Sequence, residues 1–203
     1  MLKINLGSGP DSAKGWENID WGWLPWLGAF KINKVLVKFG FLGKEYGVDW
    51  PKITFGDIRK SLLYEDKSVN FIYCSNVLEH LNYWETAGVV KESFRILKKN
   101  GVLRVVMPDL DILIKNYSDP DVFNNEYLGY EKKRFKTFKE KILEKFIRPH
   151  QWMFNEKSFR KVLSDGGFRE IKFYKIGKGE CPDLKKLDLP IHKDLCFYVE
   201  AKK

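Results

Sequence analysis

Short apolar runs separated by polar turns dominate this chain, and their spacing predicts alternating strands and helices. Residues 2–6 and 16–20 read as two strands with only Gly7 to Gly15 between them, so the helix that normally joins parallel strands is short or missing. Residues 53–55 make a third strand, ending at Gly56-Asp57-Ile58. Residues 69–74 make a fourth, which leaves through Ser75-Asn76-Val77-Leu78-Glu79-His80-Leu81. Residues 84–98 place Val89, Val90, Phe94 and Leu97 at helical spacing, with Asn100-Gly101 as the stop. Residues 102–107 form a fifth strand stopped by Pro108, and 109–117 a short helix. Asn155 caps a helix through Leu163 that ends at Gly166-Gly167. Residues 168–176 and 195–201 are two last strands, and the long loop between them, with Pro182 and Pro190, suits an antiparallel finish. Two segments stand outside this alternation. Residues 23–50 are punctuated by Trp and Gly and predict one amphipathic helix; residues 119–149 are charged.

The pattern predicts an α/β fold: a Rossmann-like, doubly wound, mostly parallel sheet with an antiparallel last strand. It forms a single domain over 1–203, with insertions at about 23–50 and 119–149 as lid or acceptor elements. The 203 residues suffice for one such core. A net charge of +9 favours acidic partners such as phosphates, uronic sugars, nucleic acid or an anionic membrane. The bias is local: residues 131–148 hold eight basic residues against three acidic ones. Phe135, Phe138, Ile142 and Phe146 share one helical stripe there, which predicts a helix docked by its aromatic face. Its basic face is then either solvated or set against an anionic acceptor or membrane surface. Cys74, Cys181 and Cys196 form no Cys-x-x-Cys pair, which fits a reducing cytosol. With Leu2 to Leu6 already a strand, and no apolar run near the ~20 residues that span a bilayer, the expected location is cytoplasmic.

The chemistry gathers at strand ends. Gly7-Ser8-Gly9 follows strand one, Asp20 ends strand two, Asp57 follows strand three and Ser75-Asn76 follows strand four. In an open α/β sheet all four lie at the carboxyl edge, where ligands bind. The glycines let the backbone approach a ligand, and the acid can accept hydrogen bonds from ribose hydroxyls. A dinucleotide fingerprint needs a third glycine where Ser12 stands, and no P-loop Gly-Lys-Ser/Thr occurs. The three histidines and three cysteines are too scattered along the chain for a zinc site, an octahedral site on Asp109 and Asp111 has no supporting motif, and no metal is expected.

Asn5-Leu6-Gly7-Ser8-Gly9, Gly56-Asp57-Ile58, the 75–81 segment, Phe94-Arg95-Ile96-Leu97-Lys98-Lys99-Asn100-Gly101 and Asp165-Gly166-Gly167-Phe168 resemble the type-11 class I S-adenosylmethionine (SAM) methyltransferases. Leu62-Leu63, Pro108-Asp109-Leu110 and His150-Gln151-Trp152-Met153-Phe154 resemble small bacterial members found with sugar-modifying enzymes. The resemblance covers nearly the whole chain, and it implies SAM as cofactor. Gly7, Ser8 and Gly9 would receive its methionine portion, Asp20 the ribose, Trp21 the adenine face, and Asp57 and Ile58 the adenine edge, with Ser75 and Asn76 flanking the sulfonium. Asn5 is counted with these cofactor-binding residues, although it departs from the acid common before the first glycine. The leading expectation is O-methylation of a saccharide or other small polar acceptor by direct in-line transfer. His150 is the expected base, with Asp109 and His80 next in line. The second reading is an RNA or other nucleic-acid methyltransferase. The fourth strand's end lacks the Asn/Asp-Pro-Pro-aromatic signature of amino methylation, which argues against it. The third is a SAM-binding, membrane-associated module without turnover.

Overall fold

A computed structural model describes residues 1–129 and 148–203. Seven strands form one sheet in the order β3-β2-β1-β4-β5-β7-β6. These are β1 (Lys3–Leu6), β2 (Glu17–Asp20), β3 (Ile53–Phe55), β4 (Val69–Ser75), β5 (Leu97–Pro108), β6 (Glu170–Tyr174) and β7 (Cys196–Lys202). β1 to β5 run parallel; β7 pairs antiparallel with both β5 and β6. The winding reverses between β1 and β4, and the carboxyl ends of these two strands flank the crevice that such a reversal opens.

Strand alternation sorts the core into two faces. Ile4, Leu6, Ile72, Cys74, Leu103 and Val105 face α3 (Tyr83–Ile96) and α5 (Glu156–Asp165), whose Val89, Val90, Phe159 and Leu163 complete that layer. Both helices open with a capping box: Asn82 with Glu85, and Asn155 with Ser158. A shorter helix, α4 (Leu110–Lys115), is capped by Asp109.

The other face carries Tyr73, Val102, Val106 and Tyr198. No helix lies between β1 and β2, as the sequence predicts. The β6–β7 connection covers this face instead, through α6 (Leu184–Leu187) and its flanks, which pack Cys181, Leu184 and Leu187 beside Trp16. Polar contacts fix it. Asp183 accepts hydrogen bonds from Lys3 Nζ at 2.8 Å and Trp16 Nε1 at 2.9 Å. Asp188 accepts from Arg104 Nη2 at 2.6 Å and from the Gly177 amide at 2.8 Å, and Tyr73 donates to the Leu187 carbonyl at 2.7 Å.

Two boundaries differ from expectation. Residues 23–50 hold two helices, not one: α1 (Trp23–Ala29) and α2 (Ile32–Lys38). Lys31 lies between them in the left-handed region, with φ 59°, and interrupts the helix there. Asn100-Gly101 does not close α3. The helix stops at Ile96 and the chain passes directly into β5, because Asn100 N–H and Gly101 C=O pair with Lys203 and draw 97–101 into the sheet. The aromatic stripe and most of the basic run expected in 131–148 lie outside the described residues. Among the described residues no helix is long and apolar enough to cross a membrane.

Candidate functional site

The loop after β1 is built by its glycines. Gly7 has φ +64° and packs so closely on Val77 that a Cβ would stand 2.4 Å from Cγ2. Gly9 has φ +54° and open space where a Cβ would be. Asp20, at the end of β2, reaches across to this loop: Oδ2 accepts from the Gly9 amide at 2.7 Å and Oδ1 from the Trp21 amide at 2.7 Å. Burial raises the Asp20 pKa above its ordinary 3.8, against the opposing pull of these two N–H groups. Each oxygen keeps a second lone pair for a hydroxyl donor.

Between this loop and the end of β4 lies a cavity of about 150 Å³ lined by Asn5, Gly7, Ser8, Ser75 and Asn76, with Tyr73 at its floor. Leu187, Leu189 and His192 of the β6–β7 connection form its far wall, and Asp11 its rim. Leu187, Leu189 and His192 carry no local motif, and only the sheet-covering role of their segment brings them here. A larger cavity of about 340 Å³, between Gly28 and Ile53, is lined by none of the strand-end residues expected to bind the ligand.

The remaining expected residues fall around this edge. Asn5 is buried and donates to the Asp11 carbonyl at 3.0 Å, so it ties the loop down. Trp21 is 59% exposed just past Asp20. Asp57 holds Arg59 through two bonds, at 2.8 and 2.7 Å, and this guanidinium lowers its pKa. Ile58 is core. Asn76 adopts φ 51° and its Oδ1 meets Cys196 Sγ at 3.7 Å.

Beyond Asn76, the short turn Leu78–His80 brings Glu79 and His80 against the 148–154 segment. The Gln151 and Trp152 amides donate to the Glu79 carbonyl at 2.7 and 3.3 Å. The His80 and His150 rings, scattered in sequence, stand 4.7 Å apart. His80 Nδ1 donates to the Arg148 carbonyl at 2.7 Å, since a carbonyl can only accept. His150 Nδ1 is buried with no partner, and burial together with neighbouring His80 lowers its pKa to about 4. Glu79 is 1% exposed, both its oxygens lack a partner, and burial pushes its pKa up to about 8. The Asp109 carboxylate accepts from the Asp111 amide at 3.0 Å, and burial raises its pKa too. Burial drives the Cys196 thiol, which meets Asn76, up to about 12.

A mostly parallel sheet of this order with an antiparallel seventh strand, and a Gly-x-Gly loop bound to the acid of the next strand, define the class of SAM-dependent methyltransferases. Asp20's free lone pairs suit a ribose, and the cavity beside Gly7 and Ser8 has room for a ligand end that meets backbone N–H groups. The comparisons agree. A methyltransferase domain model matches residues 26–172, and the chain belongs to that family. The Gly7–Asp20 loop lies before the matched residues. Solved structures share the fold: a SAM-dependent methyltransferase from Methanosarcina mazei (17% identity, TM-score 0.55, covering 100% of this chain and 92% of that one) and another from Thermotoga maritima (15%, 0.53, 100% and 82%). An uncharacterized protein of Methanocaldococcus jannaschii is 34% identical over 77 residues, which are 38% of this chain. The match spans 31% of that relative's length. The cofactor of the class, and the one this site fits, is S-adenosylmethionine.

Proposed function

We propose that this chain is a SAM-dependent O-methyltransferase acting on a saccharide or another small polar acceptor. The observation that carries the reading is the Asp20–Gly9 link at the carboxyl edge of the sheet, with the Glu79, His80 and His150 cluster a few residues beyond Asn76. When bound, SAM would supply a methyl group activated on a sulfonium: the acceptor oxygen would bond to the methyl carbon as the carbon–sulfur bond breaks and the neutral thioether leaves. The chain's part is to bind, align and take up a proton. Gly7, Ser8 and Gly9 hold the amino-acid end, Asp20 the ribose, Trp21, Asp57 and Ile58 the adenine, and Ser75 and Asn76 flank the sulfur.

On the acceptor side, His150 is held neutral, and its Nδ1 is buried without a partner, so an acceptor oxygen would reach it only as the 148–154 segment gives way. Its lowered basicity suits holding the acceptor oxygen better than storing a proton. Asp109, with one oxygen free of the Asp111 amide and its pKa raised by burial, is the group for the proton. The Trp152 ring, 47% exposed and set edge-on to Tyr83 at 5.5 Å, offers a flat apolar wall of the kind a sugar ring packs on. The insertion 23–50, which follows the carboxyl end of β2, would close over the acceptor.

Calorimetric titration with SAM, then mass spectrometry of saccharide and RNA panels for a gain of one methyl group, tests the reading. SAM binding with methylated saccharide is the expected result; no SAM binding, or methylation confined to RNA, overturns it. Asp109→Asn should lower turnover by roughly 10²–10⁴-fold, the range for loss of a general base, with SAM affinity retained. Undiminished turnover removes Asp109 from the role.

A further inference from the structure

We infer that Glu79, His80 and His150 form a site for one divalent transition-metal cation, with a coordination position left open toward the acceptor side. One donor atom from each of the three lies within 4.8 Å of the others. Zinc, at bond lengths of roughly 2.0–2.2 Å, holds tetrahedral donors about 3.4 Å apart, so no pair of these donors need close by more than about 1.4 Å.

The donors are ready for a cation in three separate respects. Glu79 is almost wholly buried, yet neither oxygen has a hydrogen bond. A buried carboxyl without a partner is costly and rare in native structures, and a cation relieves that cost. The Arg148 guanidinium pairs with Glu85, at 3.6 Å. His80 spends its Nδ1 proton on the Arg148 carbonyl, which fixes the tautomer and leaves Nε2 as a lone pair. That is the outer hydrogen bond that orients metal-ligating histidines. His150 keeps a buried Nδ1 with no partner.

The backbone pins the three in place. The Glu79 carbonyl is held by the Gln151 and Trp152 amides, and the His150 amide donates to the Leu128 carbonyl at 3.0 Å. Two imidazoles and one carboxylate make a donor set for zinc or a neighbouring divalent transition ion, in the three-ligand, one-open arrangement that also binds an oxygen of water or substrate. A proton-accepting role for His150 alone would leave the empty, buried Glu79 carboxyl unexplained. In the loaded protein an acceptor oxygen would meet the cation held by His150, which keeps that residue's positioning role and makes it indirect. The cation site itself does not depend on the methyl-transfer reading.

Untagged full-length protein, stripped with a chelator and desalted, is titrated with zinc chloride in a calorimeter. One equivalent should bind with a dissociation constant below about 1 µM. Glu79→Gln and His150→Ala should each weaken binding by more than roughly 100-fold, the upper range for losing even an outer-sphere partner. Circular dichroism and melting curves report whether each variant is folded. Cobalt(II) added in place of zinc should give the visible absorption of a four-coordinate ion, altered in His150→Ala. Binding of less than a tenth of an equivalent by the wild type overturns the inference. So does a folded variant of either kind that binds zinc as tightly as wild type. None of these measurements involves SAM or methyl transfer, so a failure here is distinct from a failure of the proposed activity.

Discussion

Asp20 ties two strands together with a single carboxylate, and its ionisation governs what it can hold. Asp20→Ala should weaken SAM binding by about 1–3 kcal/mol, the scale of hydrogen bonds to a charged group, as read by calorimetry. The pH dependence has a definite sign. Burial raises the folded-state pKa above 3.8, so Asp20 takes up its proton at milder acidity than a free aspartate. For folding alone, that preference favours the folded chain on the acid side and is lost as pH rises through the folded value. For the ligand the sign is opposite, because hydroxyl donors need the charged form. SAM affinity should therefore fall as pH is lowered through the Asp20 pKa, and Asp20→Asn should flatten the curve; a curve identical to wild type would exclude Asp20 as the ribose acceptor. Gly7, Gly9 and Asp20 are readable in the sequence because they lie within fourteen residues of one another and each needs its residue type locally. His80 with His150, and His192 at the cavity wall, are not: contact across some seventy residues, or through a loop that covers a sheet face, leaves no local periodicity to read.

The β6–β7 connection does the structural work of the missing first helix, and Asp188 is its anchor. The Arg104 and Asp188 side chains are both 0% exposed and joined at 2.6 Å, with Glu200 Oε1 3.6 Å from the same guanidinium. Asp188→Ala strands a buried guanidinium and should cost about 3–5 kcal/mol, measured by urea unfolding; a loss under 1 kcal/mol would mean that Glu200 alone suffices. Arg104 in an otherwise apolar strand is the sequence trace of this network, but its partner lies 84 residues away and could not be named from the pattern. Elements with their own stop signals were legible: Asn155 opens α5 and Gly166 ends it, as read. Where a neighbouring chain segment decides, the reading failed. Asn100-Gly101 has the composition of a helix stop, and pairing with Lys203 makes it sheet. In 23–50 the break is local instead: Lys31, left-handed at φ 59°, divides what reads as a single helix.

For the whole molecule, the strand-and-helix alternation made the α/β class, the parallel body and the antiparallel finish readable, since each follows from element order and connection length. What the alternation omits is that one segment serves two purposes. Residues 177–195 seal a sheet face and also supply Leu187, Leu189 and His192 to the cavity beside Gly7 and Asn76. An occupant of that cavity therefore braces the seal. Binding to the native state alone adds stability by mass action, and here the added stability has a path through Leu187 to Tyr73 and through Asp188 to Arg104. Amide hydrogen exchange followed by mass spectrometry should show saturating SAM slowing deuterium uptake in 177–195 and in the Arg104 stretch of β5, as well as in the glycine loop. Protection confined to the glycine loop would show that the two duties are separable. If they are joined, the sheet itself senses the ligand, and amides that never touch the cofactor record its arrival.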